Sequence, residues 1–207
     1  MLEARIQLKW EQLSIRGGPM HAGSFRASAC SYGDQVYLFG GVVDGRTPSY
    51  LSVFDCRTLK WRRPSGEAKL TDNTPLPPSF GNTCCMVKNK LFICNNLASP
   101  MLFDVTTDRW VPLSVKSPTR QRISFSCTLI ENKLYLFGGR SFVQLASASN
   151  NEIYNDFEVF HTKHLRWETP PVCSGTPPPA RHSHTASLCG HKLYIIGGNS
   201  FKIFSSI

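Results

Sequence analysis

Two histidines one residue apart, His182 and His184, and eight cysteines are the side chains of this sequence best suited to chemistry. On a strand, residues i and i+2 share a face, so the histidine pair would offer two nitrogen ligands to a metal ion. A closed metal site needs further ligands, and the sequence has no Cys-x-x-Cys spacing to supply them. Neither a metal nor a cofactor is therefore expected.

The thiols point away from catalysis as well. Cys84 and Cys85 are adjacent, with Lys88 and Lys90 just downstream, but burial on an inner strand with no base beside them raises a thiol's pKa rather than lowering it. No disulfide framework is legible, and reduced thiols place the chain in the cytoplasm or the nucleus.

What remains is basic. The formal net charge is +9, with 23 Lys and Arg against 14 Asp and Glu, which favours acidic partners through the long-range field. These cations are scattered rather than interleaved with exposed aromatics on one element, so no nucleic acid is expected. The opening Met1 to Trp10 alternates apolar and polar residues instead of forming a secretory signal. No later stretch approaches the roughly 18 apolar residues of a membrane span, so no membrane partner is expected.

The elements that would position these residues repeat. Val36-Tyr37-Leu38-Phe39-Gly40-Gly41 returns as Leu134-Tyr135-Leu136-Phe137-Gly138-Gly139 and as Leu193-Tyr194-Ile195-Ile196-Gly197-Gly198. A degenerate copy, Leu91-Phe92-Ile93-Cys94-Asn95-Asn96, replaces both glycines by asparagine, the residue that next most readily adopts positive φ. Thirteen residues before the end of each phrase stands a small hydroxyl: Ser28, Thr83, Ser126 and Thr185. Eleven residues before it stand Cys30, Cys85, Thr128 and Ser187, so one face of this strand tolerates little volume. Downstream, the strands Leu51 to Asp55, Met101 to Asp104 and Phe157 to His161 are each followed six residues later by a tryptophan. Trp10, Trp61, Trp110 and Trp167 lie 51, 49 and 57 residues apart.

Four short strands per repeat, a Gly-Gly turn and a tryptophan at fixed offsets resemble the kelch family, whose repeat of about 50 residues forms one blade of a β-propeller. The resemblance implies an all-β fold of four-stranded antiparallel blades over 1–207, with units at about 22–65, 78–114, 120–170 and 179–207. Departures from the family pattern are Asn95-Asn96 and His161, which stands where the other units close the third strand with an aspartate. The last unit reaches Ile207 without its tryptophan strand, and 8–13 resemble that missing fourth strand. About three and a half to four blades follow. Kelch rings usually hold six or seven, so an incomplete ring from a truncated chain is expected, with exposed sheet edges prone to association; closure of a small ring by 8–13 is the alternative.

By the same resemblance, residues opening the first strands and following the Gly-Gly pairs line a partner-binding face. Arg26, Arg46, Arg122, Arg140 and Arg181, with His182 beside them, would form a basic ring gripping carboxylates. The function implied is a non-enzymatic scaffold holding a protein or an acidic peptide, as in substrate receptors of cullin-type ubiquitin ligases or in actin-associated kelch proteins. An enzyme of the galactose-oxidase or thiohydroximate-processing type would instead need a metal-ligating cluster on one face.

Overall fold

The computed structural model describes residues 10–15, 25–47, 50–64, 80–94, 100–111, 113, 115, 121–141, 152–171 and 174–200. Among these every regular element is a strand. The first blade is β1 (Ser28–Tyr32), β2 (Gln35–Phe39), β3 (Leu51–Asp55) and β4 (Lys60–Arg62), hydrogen-bonded in that order and antiparallel throughout. The second repeats it with β5 (Thr83–Val87), β6 (Lys90–Cys94), β7 (Met101–Asp104) and β8 (Arg109–Val111). The third opens with β9 (Arg122–Ile123) and continues through β10 (Ser126–Ile130) and β11 (Lys133–Phe137). After β12 (Arg140–Ser141), which pairs back onto β9, it is completed by β13 (Phe157–His161) and β14 (Arg166–Glu168). Of the fourth blade, the hairpin β15 (His182–Cys189) and β16 (Lys192–Asn199) is described.

Each connection between third and fourth strands is built on one side-chain acceptor. Asp55 accepts from the amides of Arg57 and Thr58 at 2.9 and 2.8 Å, and Asp104 from those of Thr106 and Thr107 at 2.9 and 3.3 Å. In the third blade His161 takes over, its Nδ1 accepting from Lys163 and His164 at 3.2 Å. The histidine is therefore a functional replacement for the aspartate, an acceptor that caps the turn from the same position. Leu59, Asp108 and Leu165 then take positive φ of 55°, 56° and 51°, and the chain returns as the tryptophan strand.

The tryptophans are packing residues. Trp61, Trp110 and Trp167 lie opposite Phe54, Phe103 and Phe160 in the ladders, with ring centroids 5.0, 5.2 and 5.2 Å apart. Trp110 also reaches Phe39 of the first blade at 5.9 Å, and Tyr37–Phe103 and Phe92–Phe160 repeat one aromatic contact across the two successive seams. The core is thus two clusters, one between the first and second blades around Phe39, Val53 and Ile93, the other between the second and third around Phe92, Leu134 and Phe160.

First strands of neighbouring blades touch one another, which makes them the innermost. At one register position on them, Arg26, Gly81, Ser124 and Ser183 all have positive φ, of 60°, 62°, 57° and 55°. Their backbones bond in series: Gly81 N to Arg26 O at 3.1 Å, Ser124 N to Gly81 O at 3.0 Å, Ser183 N to Ser124 O at 2.8 Å. The small hydroxyls seen in the sequence serve the same seams. Asn82 donates to Ser28 Oγ at 3.1 Å, and the register-equivalent His184 meets Ser126 Oγ through Nε2 at 2.9 Å.

The ring is not closed. Gly138 has φ +67°, and a Cβ there would lie 2.6 Å from Arg181 O and 2.9 Å from His184, because the fourth blade packs against it. At its counterpart Gly197 no described residue lies within 4 Å of that position. Ile196 is 60% exposed where Phe39 and Phe137, at its register, are fully buried. Of residues 8–13, expected to supply a fourth strand, 8 and 9 lie outside the described residues and 10–13 form no strand, and Trp10 is 98% exposed, so Trp10 does not share the packing of the other three tryptophans. Asn95, Asn96 and residues 201–207, where that blade's third strand was expected, lie outside the described residues.

Candidate functional site

Beyond its four strands a blade carries one short extension, in which the residue preceding the positive-φ position pairs with the residue after Gly-Gly. The pairs are Phe25 with Val42, Ile123 with Arg140 and His182 with Asn199. Together with Arg26, Gly81, Ser124 and Ser183 these positions make the mouth of the propeller.

Three of the expected residues belong to it. Burial lowers the pKa of His182, and the charges of Arg140 and Arg26 lower it further. His182 is consequently neutral at pH 7, and its Nδ1 lies 3.0 Å from Ser183 Oγ. Arg26 is exposed and sits over the rings of Phe25 and Phe80, at 5.8 and 5.9 Å to their centroids. A cation at this distance is attracted to the faces of both rings. Arg140 is half-buried on β12, and among the described residues neither arginine has a carboxylate partner.

The other expected members separate from this group. Arg122 is 3% exposed and is no part of a binding surface. Its guanidinium reaches Gly138 O at 3.0 Å, both oxygens of Asp156 at 2.9 and 3.0 Å, and Glu158 at 2.5 Å, and it lies 4.7 Å from the centre of the Tyr154 ring. It fastens the start of β13 to the Gly-Gly turn. Arg181, at the same register, makes the corresponding bond to Gly197 O at 2.8 Å and another to Pro179 O at 3.1 Å, with no carboxylate among the described residues. Arg46 is exposed at the tip of the loop whose Val43 and Arg46 backbones bond to each other at 2.8 Å, and it too has no carboxylate partner there.

The two histidines have different tasks. His184 is buried, packs edge-on against Phe137 at 5.4 Å, and has its pKa pushed down to about 4 by burial first and by Arg181 and His182 after it. No group of three or more His, Cys, Asp or Glu that could hold a metal ion occurs among the described residues. Sequence reasoning missed Phe80, the aromatic floor under Arg26, and the acids Asp156 and Glu158 that neutralise Arg122. All three lie far along the chain from the arginines they serve: Phe80 meets Arg26 across the first seam, and the two acids meet Arg122 through the folding of the third blade itself.

With this geometry in view, comparison with known proteins is informative. The KLHDC2/KLHL20/DRC7 Kelch-repeats domain matches residues 94–207, more than half of the chain, and the Kelch motif matches residues 24–65. The chain belongs to the kelch-repeat family. Kelch domain-containing protein 3 of Rattus norvegicus is 32% identical over 218 residues, covering 96% of this chain and 55% of that protein. Host cell factor 2 of Homo sapiens is 28% identical over 92% of this chain and 26% of its own length. The Rab9 effector protein with kelch motifs of Mus musculus is 34% identical over 98 residues, 46% of this chain and 24% of that protein. This kelch chain spans about half the length of the Kelch domain-containing protein 3 relatives it matches. Both kelch matches include mouth residues: Arg140 and His182 in the longer match, Arg26 in the Kelch motif match.

Proposed function

We propose that this kelch chain is a non-enzymatic scaffold whose mouth holds an acidic segment of a partner protein. What supports the reading is that Arg26, exposed over Phe25 and Phe80, and Arg140, paired through its backbone with Ile123, both stand at the mouth and both act through their charges on His182, with neither guanidinium paired to a carboxylate among the described residues. A carboxylate arriving at the mouth gains from both cations, and a guanidinium offers it a planar two-pronged donor. The net charge of +9 steers acidic partners to the chain. The family likeness supports a protein partner, since one relative is by name an effector of Rab9.

The narrower role implied by the resemblance, substrate receptor of a cullin-type ubiquitin ligase, would use the same surface, with the acidic segment as the substrate's recognition element. We place the chain in the cytoplasm or nucleus on the strength of its cysteine usage. Calorimetric titration with an Asp- and Glu-rich peptide and with a Lys-rich peptide of equal length tests the reading. Binding of the acidic peptide alone, weakening as salt rises, is expected. Equal binding of both peptides, or of neither, would refute it.

A further inference from the structure

The mouth makes no use of the sulfur atoms lower on the inner strands. Cys30 on β1 and Cys84 on β5 face each other across the seam between the first and second blades, with their Sγ atoms 3.2 Å apart. They are 54 residues apart in the chain, and it is the propeller register that joins them. Cys85 and Cys127 occupy the same two positions at the next seam and pack with Cys94 into the cluster between the second and third blades. A row of thiols therefore runs around the axis, with Cys30 and Cys84 in direct contact.

We infer that Cys30 and Cys84 are an oxidisable pair that closes to a disulfide between the first two blades, with a hydroperoxide as oxidant. The two thiols are chemically distinct. Cys84 has its pKa lowered, first by the thiol contact with Cys30 and further by the hydrogen bond with Ser28, against the opposing effect of burial. The pKa of Cys30 is raised by the same thiol contact, and Cys85 is pushed up to about 12, chiefly by burial. Thiolate character concentrates on Cys84, which makes it the attacking sulfur.

Its thiolate attacks the distal oxygen of the peroxide. The O–O bond breaks, the leaving oxygen departs as alkoxide or hydroxide and takes up a proton, and Cys84 becomes a sulfenic acid. The Cys30 sulfur then attacks Cys84, an S–S bond forms, and the hydroxyl of the sulfenic acid leaves with the Cys30 proton as water. The peroxide is reduced by two electrons and the thiol pair is oxidised by two. The sulfurs close from 3.2 Å to the about 2.05 Å of a disulfide, and both residues are half-buried rather than sealed in the core. The bond would lock the inner strands of two blades together.

The reduced native chain is treated with hydrogen peroxide, alkylated, digested without reductant and mapped by mass spectrometry. Expected is the loss of two alkylatable thiols and a cross-linked peptide pair containing Cys30 and Cys84, with fragmentation separating Cys84 from Cys85 and dithiothreitol restoring both thiols. Cys30→Ser should leave a dimedone-reactive sulfenic acid on Cys84, whereas Cys84→Ser should leave Cys30 unoxidised. Full alkylation of Cys30 and Cys84 at a peroxide dose that oxidises the exposed Cys56 and Cys189 would overturn the inference. So would a link from Cys84 to a different cysteine, or one that forms only after unfolding in urea.

Discussion

Arg122 holds Asp156 with two parallel hydrogen bonds, Nη1 to Oδ1 at 2.9 Å and Nη2 to Oδ2 at 3.0 Å, across 34 residues of chain. The same guanidinium carries the buried Glu158 and the carbonyl of Gly138. Removing it leaves a buried carboxylate without its cation, a change that typically costs about 3–5 kcal/mol. Arg122→Ala should therefore lower the urea midpoint by an amount equivalent to a loss of that size. A midpoint within about 0.5 kcal/mol of the parent would show that the ion pair does not hold β13 in place.

His184 makes stability depend on pH. Its pKa is depressed in the folded state to about 4 from an ordinary 6.5, so between those values the unfolded chain binds more protons. The sign follows: stability is intact above about pH 6.5 and falls as the pH is lowered through this window, by a contribution of order 1–3 kcal/mol. Asn82 meets Ser28 at the equivalent place in another seam, which makes His184→Asn the substitution that keeps the bond and removes the titration. Thermal melts at pH 7 and pH 5 should show a smaller acid loss in the variant than in the parent. Identical losses would assign the effect to other groups.

Trp110 and Trp10 should respond in opposite ways. Trp110 touches the rings of Phe103 and Phe39 and joins two blades, so Trp110→Ala should cost roughly 3–5 kcal/mol. Trp10 is 98% exposed, and Trp10→Ala should stay within about 0.5 kcal/mol of the parent. Chemical denaturation of both variants checks the pair. A large loss at Trp10 would mean that its segment closes the ring after all.

The blades were legible because their signals are local and repeated. A Gly-Gly turn, an alternating strand and a tryptophan recur at offsets that no other arrangement of short strands explains, and the sheets lie where those offsets place them. The site was legible only in part. Arg122 and Arg181 are indistinguishable by register, and each donates to the first glycine of its pair, yet Arg122 is enclosed by two acids, Asp156 just before β13 and Glu158 within it. Such a partner cannot be inferred from the repeat. The His182-x-His184 pattern likewise gives no hint that one imidazole stands at the mouth while the other bonds across a seam.

The most direct test of the central claim is the affinity of a fluorescein-labelled Asp- and Glu-rich peptide for the parent chain and for the double variant Arg26→Glu/Arg140→Glu, measured by anisotropy at low salt. Arg26 is exposed and Arg140 is half-buried without a carboxylate, so the variant should melt with the parent while binding falls at least tenfold, about 1.4 kcal/mol. Unchanged affinity in a folded double variant would contradict the account, because the acidic segment would then be held somewhere other than the mouth.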